Sequence, residues 1–385
     1  MAEIGRIFRT PSGGFFLFGP RGVGKSTWLR SHFSDAIWID LLAADMYRRL
    51  LAGPERLLEI LDAYPGKGDV VIDEVQKVPG LLDVVHQVVE SEHPRRFILT
   101  GSSARKLRRG ASNLLAGRLT ESSLHPFLAC ELGLKFKLND ALTTGLVPLV
   151  WSAADREATL RSYLSLYLKE EVQAEGLVRN IGDFSRFLEA ISFSHGAQLN
   201  MSAVARECEV SRKTVEGYVQ ILEDLLLCFR VPVFSKRAQR HLVQHPKFYI
   251  FDTGVFRALR PKGPLDRPEE IDGAALEGLV AQHLFAMLRY RRDDCRLYYW
   301  RTKAGTEVDF VVYGESLFWA VEVKRAIRVN SFDVKPLAVF KQDYPEAEAV
   351  LLYMGRERLV IDGIQCVPVA EFLLTLTPNT PSLIV

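Results

Sequence analysis

The sequence predicts an α/β fold in three parts: a parallel-sheet core, a helical middle with a helix-turn-helix, and a smaller α/β domain at the C-terminus. Three observations predict it. Short apolar runs alternate with segments of helical spacing through the first third, the pattern of parallel strands joined by helices. Residues 127–235 have helical spacing almost throughout. The last third returns to period-two and continuous apolar runs separated by turns. The composition agrees: 385 residues, 48% hydrophobic and 25% charged, suit two or three ordinary globular domains. With 49 Lys+Arg against 47 Asp+Glu the net charge is +2, which excludes a strongly basic coat protein and an acidic tail protein. Any nucleic-acid contact must then come from local basic patches.

Cys130, Cys208, Cys228, Cys295 and Cys366 form no C-x-x-C and no zinc-spaced cluster. A reducing, cytoplasmic location is expected. No signal peptide is visible, and no apolar run of about 18 residues occurs, so no membrane partner is expected.

In chain order, the apolar runs 14–18, 36–42, 70–72, 97–99 and 119–124 read as strands. Helices are expected at 27–33, 50–61 and 81–89. Further helices are expected at 156–171, 184–193 and 274–289. Later strands are expected at 296–301, 307–313, 317–324, 349–353 and 365–367. The implied units are 1–126, 127–182, 183–260 and 261–385.

The first strand runs into Gly19-Pro20-Arg21-Gly22-Val23-Gly24-Lys25-Ser26, a complete G-x-x-x-x-G-K-[ST], followed by Thr27 and a helical segment. Strand, glycine loop and helix form the context this motif needs. Glycines let main-chain N–H groups turn inward around phosphate oxygens, and the helix N-terminus adds positive charge. Lys25 would reach the β/γ-phosphates and Ser26 would ligate Mg2+.

The strand at 70–72 ends in Asp73-Glu74, which puts two acids at its carboxyl end, where open α/β sheets bind ligands. Asp73 would hold Mg2+ and Glu74 would act as general base toward water. The next strand ends Leu99-Thr100-Gly101-Ser102-Ser103; Ser102 is the choice for a γ-phosphate sensor, a simple turn being the other reading. Arg118, just before the last strand, is either a surface residue or an arginine finger acting in trans.

The segments FGPRGVGKST, VVIDEVQKVP, FILTGSS and LAGR resemble the AAA-type ATPases, relatives of the AAA+ superfamily, that carry a DUF4143-like C-terminal region. That resemblance implies a P-loop AAA+ core, a helix-turn-helix and a restriction-endonuclease-like domain. It also implies ATP hydrolysis and a homo-oligomer, for example a hexameric ring.

Residues 201–219 contain two short helical patterns. Ser202 and Ser211 are plausible N-caps. Val204, Ala205, Val210, Val215, Val219 and Leu222 would pack the helices together. The second begins Ser211-Arg212-Lys213-Thr214, polar and basic as a groove-entering helix should be. A strand pair at 228–234 and 247–251 would form a wing, as the resemblance also suggests. Lys236, Arg237 and Arg240 would add phosphate contacts. The other reading is a helical hairpin used only for packing or oligomer contact.

Near the end, residues 305–324 read as a β-hairpin. With Glu315-Ser316 as its two-residue turn, Asp309 falls directly opposite Glu322 on one sheet face, and Lys324 shares that face. Glu277 stands on the preceding helix. The set Glu277, Asp309, Glu322-x-Lys324 resembles the PD-(D/E)XK nuclease pattern, departing from it in having no proline before Asp309. Carboxylates so placed would bind a second Mg2+ or Mn2+ that activates water. The alternative is a nuclease fold without activity.

The leading expectation is therefore an ATPase acting on duplex or branched DNA, with or without cleavage. Its rival is a nucleotide-controlled interaction switch whose nuclease-like domain is an inactive docking platform. A third possibility is an antiviral or toxin-like nuclease gated by ATP.

Overall fold

The computed structural model describes residues 4–66, 68–101, 115, 117–168, 180–235, 245–264, 266–291 and 293–383. The N-terminal elements are β1 (Phe15–Phe18), α1 (Lys25–His32), β2 (Ile37–Asp40), α2 (Ala44–Ala52), α3 (Arg56–Asp62), β3 (Asp69–Asp73), α4 (Leu81–Val89), β4 (Arg96–Gly101) and β5 (Thr120–Ser123). Among the described residues, five strands form one parallel sheet in the order β2-β3-β4-β1-β5. β1 has no polar face because both of its faces are covered. Phe16 and Phe18 join Ile39, Leu57, Ile72 and Val85 on one side. Phe15 and Leu17 join Trp28, Leu29, Val71 and Ile98 on the other. Each such side chain contributes about 1.5–3 kcal/mol through burial.

The sequence expectation of one helix over 50–61 is wrong. Gly53-Pro54 breaks it into α2 and α3, since proline disfavours the helical conformation in the residue before it. The helix expected at 27–33 begins two residues earlier, at Lys25, because Gly24 already takes the left-handed conformation at its start.

The middle contains α5 (Ala129–Leu132), α6 (Leu138–Thr144), α7 (Pro148–Trp151), α8 (Arg156–Ser162) and α9 (Ile181–Ser192). The helix expected at 156–171 is α8 only as far as Ser162; Tyr163–Leu168 continues with π-type spacing. Residues 169–179 lie outside the described residues.

There follow β6 (Ala197–Gln198), α10 (Met201–Glu207), α11 (Arg212–Asp224), β7 (Cys228–Val231) and β8 (Lys247–Ile250). Helix, strand, two helices and two strands, with sheet order β6-β8-β7, is a winged-helix arrangement. Asn200, not Ser202, caps α10, accepting from the amides of Ser202 and Ala203 at 3.1 and 3.0 Å. Ser211 does cap α11, accepting from the Thr214 amide at 3.1 Å. β7 ends at Val231 because Pro232 has no N–H to give.

The C-terminal part comprises α12 (Thr253–Leu259), α13 (Pro268–Tyr290), β9 (Arg296–Arg301), β10 (Glu307–Tyr313), β11 (Phe318–Lys324), α14 (Ser331–Asp343), β12 (Glu348–Tyr353), β13 (Leu359–Ile361), β14 (Ile364–Pro368) and α15 (Val369–Thr375). Six strands make one sheet, β13-β14-β12-β11-β10-β9, among the described residues. The hairpin β10–β11 pairs Phe310 with Val321 and Tyr313 with Phe318, the register that puts Asp309 opposite Glu322. α13 starts six residues before the expected position, with Pro268 in its first turn.

Candidate nucleotide site and the C-terminal acid cluster

The glycine loop leaves β1 in the centre of the sheet and enters α1. A Cβ on Gly19 would lie 2.4 Å from the Leu124 carbonyl oxygen, so only glycine fits there. Gly24 has φ 89°, a conformation that costs other residues energy. Lys25 is 7% exposed, and its Nζ donates to the carbonyls of Gly19 at 2.7 Å and Pro20 at 3.4 Å.

Sheet order brings the second half of the site beside the first. β4 lies between β1 and β3, so the ends of all three strands converge. Ser26 Oγ donates to Asp73 Oδ2 at 2.8 Å. Thr100, fully buried at the end of β4, donates to Asp73 Oδ1 and accepts from the Glu74 amide at 3.1 Å. Glu74 has left-handed backbone angles (φ 61°, ψ 44°), a strain of about 1–2 kcal/mol for a side-chain-bearing residue. Gln76 Nε2 donates to the Glu74 carboxylate.

Thr100 is the residue that sequence reasoning missed. Ser102 lies outside the described residues, and the signal for Thr100 was its place as the first polar residue after the buried run Phe97–Leu99. Arg118 is partly exposed and forms an ion pair with Glu90 at the end of α4; the Arg118 hydrogen bond holds the Glu90 carboxyl below its usual range.

A cavity of about 410 Å3 opens beside the loop. Gly22, Val23, Gly24 and Thr27 form one wall, and Phe127, Leu149 and Trp151 of the middle region line another. Three loop carbonyls are bonded to groups outside the loop. Leu149 N donates to Gly22 O at 3.1 Å, Tyr163 Oη to Arg21 O at 3.0 Å, and Arg6 to Val23 O at 2.9 Å. Arg6 also donates to the His125 carbonyl and pairs with Glu131 at 3.1 Å.

On α11, Ser211, Arg212 and Lys213 are exposed and Thr214 is half-buried. Arg212 pairs with Glu216 at 2.9 Å, and Glu223 pairs with Arg230 at 2.6 Å. The two cations of the helix stand against Glu216, Glu223 and Asp224, so this element is not a basic patch. Lys236, Arg237 and Arg240 lie outside the described residues.

The C-terminal acids do converge, but around a residue the sequence did not single out. Lys247 Nζ, at the start of β8, lies 2.6 Å from Glu307, 2.9 Å from Glu277 and 3.3 Å from Asp309. Tyr249 Oη donates to Glu277 at 2.6 Å, and Arg301 pairs with Glu307 at 3.0 Å. Glu322 takes Lys324 Nζ at 2.6 Å and the Asp309 amide at 3.3 Å. Asp309 accepts from the Val323 amide at 2.9 Å. Burial pushes Glu277 up to about 7 and Glu322 up to about 8. Among the described residues no group of three His, Cys, Asp or Glu side chains is disposed to hold a metal ion. Nothing in the spacing signalled Lys247, whose nearest acid partner is 30 residues away.

Among the described residues, no helix is long and apolar enough to cross a membrane. Three family models match successive stretches of the chain: an AAA domain over residues 13–133, and two domains of unknown function, DUF8612 over 135–266 and DUF4143 over 272–372. An uncharacterized protein of Mycobacterium tuberculosis is 27% identical over 368 residues, covering 93% of this chain and 80% of its own. An uncharacterized protein of Haemophilus influenzae is 22% identical over 324 residues, covering 79% and 77%. A solved Signal Transduction ATPase with Numerous Domains (STAND) protein from Pyrococcus horikoshii, with a tetratricopeptide repeat sensor, is 14% identical. It covers 72% of this chain and 45% of its own, so the chain spans less than half of that structure. Its TM-score of 0.25 is too low to bear on function. The chain carries an AAA-type ATPase domain at its N-terminus and a DUF4143 domain at its C-terminus.

Proposed function

We propose that the chain is a Mg2+-dependent ATPase of AAA+ type that passes its nucleotide state to a winged helix gripping duplex or branched DNA. The units are an ATPase core at 1–126, a lid-like segment at 127–182, the winged helix at 183–260 and a nuclease-like domain at 261–385. The observation that carries this reading is the bonding of the loop carbonyls of Arg21 and Gly22 to Tyr163 and Leu149. Any turn of the loop around phosphates must disturb those bonds.

The main-chain N–H groups of residues 21–27 wrap the triphosphate, Pro20 having none to give. Lys25 exchanges the carbonyls of Gly19 and Pro20 for phosphate oxygens, a swap of acceptors that keeps its charge bonded. The hydroxyl of Ser26 and the carboxylate of Asp73 already meet, a donor set that fits Mg2+. Held there, Mg2+ would neutralise phosphate charge. Glu74 orients water and takes its proton. Thr100 fixes Asp73 and the Glu74 backbone, and Ser102 senses the γ-phosphate. Arg118 leaves Glu90 to reach a neighbour's nucleotide in a homo-oligomer, for example a hexameric ring.

Ser211, Arg212, Lys213 and Thr214 contact DNA. DNA-stimulated ATP hydrolysis by the full chain, falling with salt, is the expected result. Hydrolysis indifferent to DNA, with no binding at low salt, would remove DNA from the reading. A second reading is favoured by the acids of α11: a nucleotide switch that binds protein through its middle helices.

Cleavage by Glu277, Asp309, Glu322 and Lys324 with a second Mg2+ or Mn2+ is not supported by the geometry. Those carboxylates already carry Lys247 and Lys324, and the set does not fit a further cation.

A further inference from the structure

We propose that Lys247 supplies the cation of the C-terminal acid cluster, which makes the cluster an internal lock between winged helix and C-terminal domain and not a metal site. The inference rests on the nuclease-like reading for the choice of acids, and it is independent of the ATPase reading.

An ammonium has three N–H donors and no acceptor. Here its three neighbours are three separate carboxylates, Glu277 of α13 and Glu307 and Asp309 of β10. The lysine is 2% exposed, so bulk water barely reaches it. The fourth acid, Glu322, is satisfied by Lys324 and the Asp309 amide. A divalent ion entering this site would have to expel a buried ammonium and break three ion pairs at once. That is a cost of charge desolvation with no compensating partner for the displaced lysine.

The lock joins two units. Lys247 opens β8, which pairs with β7 and β6 of the winged helix. Its acids belong to the helix and hairpin of the C-terminal domain. Tyr299 of β9 reinforces the seam, taking a bond from Gln198 at 3.0 Å and giving one to the His245 carbonyl at 2.7 Å. The last strand of the winged helix is thereby fixed to the C-terminal sheet.

Two measurements on the nucleotide-free full chain decide the matter. Mn2+ titration followed by electron paramagnetic resonance should find no bound ion that Asp309→Asn removes. Stoichiometric Mn2+ uptake by the parent, abolished by Asp309→Asn, would overturn the proposal. Thermal melting should show Lys247→Met well below the parent, with Glu277→Gln recovering part of the loss in the double variant. A Lys247→Met chain that melts with the parent, or an additive double variant, would equally overturn it. If Lys247→Met does not fold, the Mn2+ comparison still decides. A Lys25→Ala chain that still hydrolyses ATP at the parent rate would sink the ATPase-site reading and leave both results untouched.

Discussion

Lys25 and Lys247 are both buried, 7% and 2% exposed, and both are ringed by oxygen, yet the oxygens differ in kind. Lys25 donates to the neutral carbonyls of Gly19 and Pro20 beside a cavity; Lys247 donates to carboxylates in a closed seam. A carbonyl is a weaker partner for an ammonium than an anion, so these two bonds give way when phosphate arrives. Lys247 has nothing better to exchange for. The same two residue types, lysine and acid, thus make a reactive site at one end of the chain and a structural one at the other. The difference lies in which of these bonds a phosphate can better.

The largest effects should appear at the N-terminal end of that contrast. Lys25→Ala should abolish hydrolysis, and Glu74→Gln should lower it about 10²–10⁴-fold with ATP still bound. Phosphate release and nucleotide retention, measured together, check both; a Glu74→Gln chain hydrolysing at the parent rate would refute the base assignment. At the other end, Lys247→Met should leave hydrolysis in place and cost about 3–5 kcal/mol of stability in denaturant titration, the loss expected when one partner of a buried ion pair is removed. Thr100→Val should come next, slowing hydrolysis about tenfold at unchanged nucleotide affinity, because Asp73 and Glu74 lose a shared anchor. Tyr163→Phe should be smaller still, about 1 kcal/mol in the coupling between nucleotide and DNA binding, read as the ratio of DNA affinities with and without nucleotide.

Acid adds a further test. His125, His195 and His283 are buried, and desolvation lowers them from 6.5 to about 3, 3 and 4. His195 and His283 each accept a backbone N–H, of Ile250 and Ala129, a bond that protonation breaks. Groups with depressed folded values contribute stability that is present above pH 6.5 and lost as pH falls toward those values. Glu277 and Glu322 have the opposite sign: raised to about 7 and 8, they favour the fold increasingly as pH falls, until the unfolded carboxyls protonate near 4.5. Three histidines against two carboxyls leave a shallow net loss of stability as pH falls from 6.5 to 4.5, and a steeper one below it. Chemical denaturation across that range checks the shape, and a decline from pH 6.5 as steep as the three histidines alone would give would show that the cluster holds no such proton.

Much of the N-terminal site was legible because its residues are contiguous. A loop of eight residues and an acid pair at a strand end are local patterns, and the sheet order does the rest. The hairpin register was legible too, since a two-residue turn fixes every pair that follows. Lys247 was not. It begins a buried strand, KFYI, and its partners come from other elements 30, 60 and 62 residues on. Thr100 was passed over for Ser102 because the sequence shows only that small polar residues follow a strand. It does not show that the strand's own last side chains reach across to Asp73.

Helix α13, 23 residues and about 34 Å long, ends among residues of the ATPase core. Ala286 and Tyr290 complete the apolar cluster of Phe8, Trp28 and Leu29, the Tyr290 hydroxyl accepts the His125 amide, and nine residues from its start Glu277 meets Lys247. No cut that separates the AAA domain from the DUF4143 domain can therefore leave the first half whole. A fragment ending before Pro268 would strip Ala286 and Tyr290 from the apolar cluster beneath the first sheet, so truncation is a poor way to learn what either half does alone.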